Sequence, residues 1–159
     1  MTEAEKAVKA LRAANLTCAV AESCTGGGVG HAITAVSGAS EVFAGGVISY
    51  SNELKRSLLG VLAETLERFG AVSGEVAREM STGARATTGA DIAVSVTGIA
   101  GPGGGSEEKP VGLVWFAVSS VRGVRTDRVV FCGDRDAVRA QAVSHALGMI
   151  VEVAKEIAG

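Results

Sequence analysis

The sequence predicts an α/β fold, a three-layer α/β/α sandwich in which helices cover both faces of a mixed sheet. Over the N-terminal part of the chain, short apolar stretches alternate with stretches of helical periodicity, which is typical of strands separated by helices. Later, two β-branched stretches flank Arg122-Gly123, and this pattern indicates an antiparallel hairpin. The 159 residues contain no linker and no internal repeat, so we expect one domain spanning 1–159.

The individual elements follow from apolar spacing and from capping residues. Apolar residues at helical spacing predict helices over 3–14, 28–36, 52–58 and 63–69, between Ser73 and Gly89, and after Asp134. Apolar, β-branched stretches predict strands over 16–21, 43–50, 92–96, 111–121 and 124–131. We expect Gly45-Gly46 to break the second strand, because glycine weakens a strand interior.

The first predicted strand ends abruptly at the small polar residues and glycines of 22–28. If a helix begins near Thr25, its free N–H groups would point at whatever lies over Ser23, and we expect them to favour a phosphate or an oxyanion. Gly26 and Gly27 would let a ligand approach bare backbone. The alternative is a tight strand-to-helix connection whose serine or threonine serves only as the helix cap.

The second turn, 50–55, contains the lysine that is the best candidate for a base. With Asn52 as the cap, Lys55 falls at the third helical position, where the helix dipole disfavours a cation by up to about 1 kcal/mol. Dipole and burial would both lower the pKa of Lys55, which proton abstraction near neutral pH requires. A solvated lysine on the first turn is the alternative. Tyr50 would donate a hydrogen bond into the same crevice or cap the sheet edge.

The third turn, 97–110, contains five glycines and resembles a generic nucleotide or phosphate cradle. It contains neither the Gly-Lys-Ser/Thr of a Walker A loop nor a dinucleotide fingerprint. Ligands of open α/β sheets bind beyond the carboxyl ends of strands, so we expect all three turns to meet at one crevice. The candidate substrate contacts in this turn are Thr97, Gly101, Gly103 and Gly104.

Serine chemistry requires a base beside the hydroxyl. The sequence around Ser23 is not the Gly-x-Ser-x-Gly of a nucleophile elbow, and His31 and His145 both fall within predicted helices. We therefore expect Ser23 to pair with Lys55, and Cys24 remains the competing nucleophile.

Composition excludes several classes of function. The net charge of −2 provides no electrostatic basis for binding nucleic acid directly. Three scattered cysteines, no metal-binding motif and no long apolar stretch indicate a cytoplasmic protein without a disulfide framework, a metal site or a membrane segment. Only 20% of the residues are charged and 47% are apolar, so we expect a homo-oligomer, a dimer or larger.

Six motifs with specific residues extend over nearly the whole chain. They are Ala21 to Gly27, Tyr50 to Lys55, Gly70 to Ser73, Thr97 to Gly104, Lys109 to Gly112, and Phe131 to Arg135. Together they resemble the CinA C-terminal domain family, which includes competence/damage-inducible proteins and stand-alone nicotinamide-nucleotide amidohydrolases. The chain resembles the stand-alone form, and departs from the family pattern at Gly28 and Leu113.

The resemblance implies an active site around Ser23, Tyr50 and Lys55, and a small-molecule nucleotide as substrate. The implied reaction converts nicotinamide mononucleotide to nicotinate mononucleotide and ammonia without a cofactor or metal. Lys55 would take the proton of Ser23, and N–H groups of 25–27 or of the glycine-rich loop would hold the oxyanion.

The 5′-phosphate of such a substrate needs cationic partners, and Lys109, Arg135 and Arg139 are the candidates. Arg135 and Arg139 lie four residues apart, which suits either a bidentate clamp or an exposed salt-bridging helix face. The alternative functions are a non-catalytic nucleotide-binding or regulatory module linked to competence or the DNA damage response, and hydrolysis of a related pyridine nucleotide.

Overall fold

The computed structural model describes residues 1–159, which form six α-helices, five β-strands and one short 3-10 helix. The helices are α1 (Glu3–Ala14), α2 (Gly28–Thr34), α3 (Asn52–Leu59), α4 (Ala63–Phe69), α5 (Gly74–Thr88) and α6 (Arg135–Ala158). The strands are β1 (Cys18–Glu22), β2 (Phe43–Ile48), β3 (Ile92–Gly98), β4 (Leu113–Ser120) and β5 (Gly123–Val130). Every predicted helix and strand is present, with ends that differ by a few residues.

The five strands form one mixed sheet in the order β2-β1-β3-β4-β5. Strand β1 pairs in parallel with both β2 and β3, whereas β3–β4 and β4–β5 are antiparallel. One face packs under α1, α2 and α6 around a large apolar core, and the other packs under α3 and α5 around a smaller one. The predicted three-layer sandwich is therefore confirmed, as is the β4–β5 hairpin.

Strand β1 sends alternate side chains to opposite faces of the sheet. Cys18 and Val20 belong to the larger core, and Ala19 and Ala21 to the smaller one beneath α5. This alternation directs the next residue of the first set, Glu22, towards α2. It directs Ser23 towards α3.

The predicted break at Gly45-Gly46 was wrong. Strand β2 runs unbroken, and the glycines accompany a register shift opposite the step from Cys18 to Ala19. A Cβ atom at Gly46 would lie 2.3 Å from the carbonyl oxygen of Val20, so glycine allows the two strands to approach.

The predicted caps hold at two of the helices and shift at a third. Ser73 and Asp134 cap α5 and α6 as expected. The cap of α3 is Ser51 rather than Asn52: its Oγ accepts from the N–H of Leu54, and Lys55 is consequently the fourth helical residue. None of the helices has the length and hydrophobicity that crossing a bilayer requires.

Candidate active site

Ser23 and Lys55 meet at the carboxyl end of β1. The Nζ atom of Lys55 lies 3.0 Å from the Oγ atom of Ser23, and both residues are buried. Ser23 is further held by its own N–H, which donates to the carbonyl of Val96 in β3 at 3.0 Å. A hydroxyl and an amine at this distance form the nucleophile and base geometry that covalent catalysis uses.

The surroundings of the Lys55 amine favour its neutral form. Lys55 is 1% exposed, and burial lowers the pKa of its amine below the ordinary value of 10.5. Its Nζ contacts the carbonyl oxygens of Ser49 at 2.8 Å and Tyr50 at 3.2 Å. A neutral amine has two N–H donors and one lone pair, so donation to both carbonyls leaves the lone pair for the Ser23 hydroxyl. Burial is therefore the main cause of the lowered pKa of Lys55.

The N-terminus of α2 is occupied by the protein itself, contrary to the expectation that its N–H groups face a ligand. The carboxylate of Glu22, which is completely buried, accepts from the N–H groups of Gly27 (3.2 Å), Val29 (2.9 Å) and Gly30 (2.9 Å). The Gly26 N–H is also used, since it donates to the carbonyl of Ser23 at 3.1 Å. Neither Gly26 nor Gly27 therefore has an amide free for substrate.

Unpaired hydrogen-bonding groups remain at the two residues that precede Gly26 in the same turn. The N–H groups of Cys24 and Thr25 donate to no other residue of the protein, although the two residues are only 6% and 1% exposed. The Thr25 hydroxyl is also buried without a partner. Unsatisfied amides are rare in protein interiors, so this turn has donors that a ligand can use.

Cys24 is a poor competitor of Ser23 as nucleophile. Burial raises the pKa of its thiol to about 11, and the thiolate is the reactive form of cysteine. Cys18 is buried in the larger core, where burial raises its thiol pKa to about 12. The chemistry at this end of the sheet therefore favours the hydroxyl of Ser23.

A small cleft of about 180 Å³ opens onto the Ser23–Lys55 pair. Thr97 lines it and donates its hydroxyl to the carbonyl of Ala71 at 2.9 Å. The cleft joins the three predicted turns to the segment that precedes α5. Its lining comprises Ser23, Cys24, Tyr50, Asn52, Lys55, Ala71, Val72, Thr97, Gly98, Ala100 and Arg135.

Tyr50 and Arg135 lie together at the mouth of the cleft. The Tyr50 side chain is 64% exposed, and its hydroxyl is 3.4 Å from a guanidinium nitrogen of Arg135. Arg135 also donates to the carbonyl of Gly101 at 2.8 Å, which connects α6 to the glycine-rich loop. An aromatic ring and a cation are thus available to a ligand that extends out of the cleft.

Other predicted contacts lie outside the cleft lining. The Lys109 ammonium donates to the carbonyl of Phe69 at the end of α4 at 2.6 Å. Arg139 donates to the carbonyls of Cys24 at 3.0 Å and Thr25 at 3.3 Å, so it does not form a clamp with Arg135. Gly103 and Gly104 are exposed on the loop surface, and of the loop glycines only Gly98 is in the lining.

A larger groove of about 660 Å³ runs along α6, away from Ser23. Its most reactive side chain is His145, whose Nε2 is 2.7 Å from a carboxylate oxygen of Asp127 and whose ring packs against Phe116. No nucleophile is hydrogen-bonded to this histidine. The smaller cleft, which contains the Ser23–Lys55 pair, is therefore the candidate active site.

Sequence reasoning missed two contributors to the site. Glu22 was not singled out, although a charged residue that ends a buried strand is a signal for a paired carboxylate. The Ser49 carbonyl has no sequence signal, because any residue at that position supplies the same oxygen. Its role depends on where β2 ends.

Comparisons with known proteins give one family and several relatives. Residues 1–154 match the CinA C-terminal domain family. An Escherichia coli K12 protein named nicotinamide-nucleotide amidohydrolase PncC is 53% identical over 148 residues, which are 92% of this chain and 90% of that protein. A Thermoanaerobacter protein named putative competence-damage inducible protein is 50% identical over 92% of this chain, which corresponds to only 35% of its own length.

A solved structure shows the same fold. The crystal structure of the competence/damage inducible protein CihA from Agrobacterium tumefaciens superposes with a TM-score of 0.92 at 42% identity. The match covers 95% of this chain and 93% of that one.

Proposed function

The chain belongs to the CinA C-terminal domain family, and from this membership and the cleft we propose that it deamidates nicotinamide mononucleotide to nicotinate mononucleotide and ammonia. The Escherichia coli relative that carries this amidohydrolase name aligns with almost the full chain. The observation that carries the mechanism is the 3.0 Å contact between the buried amine of Lys55 and the hydroxyl of Ser23. Ser23 is the nucleophile and Lys55 is the base.

Acylation begins when the Lys55 amine takes the proton of the Ser23 hydroxyl. The Ser23 oxygen then bonds to the carboxamide carbon of the pyridine ring, and the carbonyl π electrons move to the oxygen of that carboxamide. The proton held by Lys55 passes to the carboxamide nitrogen. The carbon–nitrogen bond breaks, ammonia leaves, and a nicotinoyl ester remains on Ser23.

The unpaired amides of Cys24 and Thr25 are the proposed oxyanion donors. They adjoin the nucleophile, whereas the amides of Gly26 and Gly27 are already bonded within the protein. Preorganised N–H donors stabilise the charge that develops on the carboxamide oxygen, and each is worth roughly 10²–10³ in kcat in serine hydrolases.

Hydrolysis of the ester repeats this proton cycle with water as the nucleophile. A water molecule in the cleft gives a proton to the Lys55 amine, and its oxygen attacks the ester carbon. The Ser23 oxygen leaves and regains the proton from Lys55, which releases the pyridine carboxylate product. Lys55 therefore acts as base and then as acid in each half of the reaction.

The size of the cleft supports a specific orientation of the substrate. At about 180 Å³ the cleft is smaller than the roughly 300–1,000 Å³ that encloses whole drug-sized ligands. We therefore place the carboxamide and ring inside and the ribose 5′-phosphate at the mouth, where Tyr50 and the guanidinium of Arg135 lie. The exposed Tyr50 ring offers a stacking surface, and Arg135 offers the cation.

Lys109 and Arg139 are weaker candidates for the phosphate, because Arg135 lines the cleft and they do not. The glycines at 101, 103 and 104 then serve mainly to shape the loop around Ala100. A homo-oligomer remains part of the proposal, supported by the exposed apolar side chains of Ile48, Leu54 and Leu58. A single domain and a cytoplasmic location are also part of the proposal.

The test is release of ammonia from nicotinamide mononucleotide by the purified protein, with Ser23→Ala and Lys55→Met as variants of checked folding. We expect turnover by the wild type only. Tight binding of the nucleotide without ammonia release would instead support a non-catalytic module, and a panel of related pyridine nucleotides would reveal another amide substrate.

A further inference from the structure

We propose that Glu22 and Arg139 are positioning residues that hold the Ser23–Gly28 turn from its two sides and thereby aim the amides of Cys24 and Thr25 at the reacting carboxamide. This inference rests on the proposed amidase function. It assigns a task to a buried carboxylate and to a cation that the reaction steps themselves do not use.

Glu22 holds the N–H side of the turn. One carboxylate oxygen accepts from Gly27 and Val29 and the other from Gly30, so the first turn of α2 is anchored to the end of β1. A helix N-terminus with free donors would attract the substrate's phosphate or the carboxylate of the product. The Glu22 carboxylate occupies those donors and places its negative charge beside them, so the N-terminus of α2 does not attract an anion.

Arg139 holds the carbonyl side. Its Nε donates to the carbonyl of Cys24 at 3.0 Å, and one terminal nitrogen donates to the carbonyl of Thr25 at 3.3 Å. The planar guanidinium binds both oxygens from a single direction, which a lysine ammonium cannot reproduce with the same geometry. Arg139 comes from α6, so this contact also ties the turn to the longest helix.

The two contacts determine where the free amides point. In a trans peptide the C=O and the following N–H point in opposite directions. Because Arg139 holds the Cys24 carbonyl, the Thr25 N–H points away from Arg139. The Ser23 carbonyl faces the Gly26 N–H, so the Cys24 N–H points away from Gly26. The turn thus keeps two adjacent buried amides unpaired, which is costly unless a ligand uses them.

The test compares Glu22→Gln and Arg139→Met with the wild type on nicotinamide mononucleotide and on nicotinamide riboside, which lacks the phosphate. Glutamine keeps the size of Glu22 but places an NH₂ group against amide donors. Methionine keeps much of the Arg139 stem and removes its donors. Arg12→Met, which removes a surface pair with Glu41 remote from the cleft, is the matched control.

We expect kcat to fall about 10- to 100-fold in both variants on both substrates, the size of effect that misplacing a reacting geometry produces. KM and the affinity for nicotinate mononucleotide, measured by calorimetry, stay within about threefold, since ground-state binding is not the property removed. If Glu22→Gln fails to fold, Arg139→Met still tests the inference, because Arg139 holds the opposite side of the turn.

Two results would overturn the inference while leaving the amidase intact. One is an unchanged kcat in a folded variant. The other is an Arg139→Met protein that loses affinity for the mononucleotide but not for the riboside, which would make Arg139 a phosphate ligand. A wild-type protein that releases no ammonia would overturn the proposed function, and the inference with it.

Discussion

The amine of Lys55 and the hydroxyl of Ser23 lie 3.0 Å apart although 32 residues separate them in the chain. The register of β1 and β2 makes this possible. The N–H of Ser49 donates to the carbonyl of Glu22 at 2.8 Å, and the carbonyl of Ser49 in turn accepts from Lys55 at 2.8 Å. The sheet edge that positions Ser23 therefore also positions Lys55.

Replacing Lys55 by methionine should abolish ammonia release while the protein remains folded. General base catalysis contributes roughly 10²–10⁴ to a rate, so kcat should fall by at least about 10²-fold. Steady-state ammonia assays measure the loss, and thermal unfolding shows that the fold is retained. A folded Lys55→Met protein with wild-type kcat would remove Lys55 from the mechanism.

Activity should rise with pH as Lys55 loses its proton. Burial lowers the pKa of this amine below 10.5, so the ascending limb of kcat/KM should have its midpoint below that value.

The free energy of unfolding should also depend on the protonation of Lys55. Between the lowered pKa and 10.5 the unfolded chain binds more protons than the folded one, so the free energy of unfolding rises with pH. Denaturant titrations across this range should show the rise in the wild type and not in Lys55→Met.

Cys24 should be dispensable for chemistry. Its thiol pKa is raised to about 11, which leaves only about one thiolate in ten thousand thiols at pH 7. We expect Cys24→Ala to keep kcat within about fivefold, since the change removes packing but no reacting group. Iodoacetamide followed by mass spectrometry should label the exposed Cys132 first. Complete inactivation of a folded Cys24→Ala protein would move the nucleophile from Ser23 to Cys24.

Arg135 should determine the preference for a phosphorylated substrate. A charge-assisted hydrogen bond contributes about 1.5–3 kcal/mol, so Arg135→Met should raise KM for nicotinamide mononucleotide by about 10- to 100-fold. The riboside should be affected far less. Steady-state kinetics on the two substrates measure the ratio, and an unchanged ratio would place the phosphate elsewhere.

Two mid-helix glycines should respond in opposite ways to alanine. A Cβ atom at Gly83 in α5 would lie 1.8 Å from the carbonyl oxygen of Leu59, the last residue of the helix that carries Lys55. Gly83→Ala should cost at least about 1–3 kcal/mol of stability, as overpacked cores do, and it should lower kcat by displacing α3.

Gly148→Ala is the matched control in α6. The nearest atom that its Cβ would meet is a Glu3 oxygen 3.9 Å away. This change should be neutral or stabilise the protein by up to about 1 kcal/mol through helix propensity. Thermal unfolding and ammonia assays on both variants test the pair, and equal stability of the two would show that α5 and α3 can separate without cost.

Much of the fold could be predicted from local signals. Ser73 and Asp134 are caps whose effect reaches only one helical turn, and the apolar alternation of β1 depends on near neighbours alone. Gly45-Gly46 was misjudged because propensity treats glycine as a strand breaker. Close contact with Val20 of the adjacent strand instead requires glycine at position 46.

By itself, the sequence determined the order of helices and strands, the mixed sheet, and three polar or glycine-rich turns at its carboxyl ends, because periodicity and caps are properties of neighbouring residues. Only the tertiary structure decided the partner of each charged group. Glu22 binds the N-terminus of α2, Arg139 binds the turn rather than a ligand in the cleft, and Lys55 reaches Ser23. Such pairings depend on strand register and helix packing between distant segments, which no local pattern encodes.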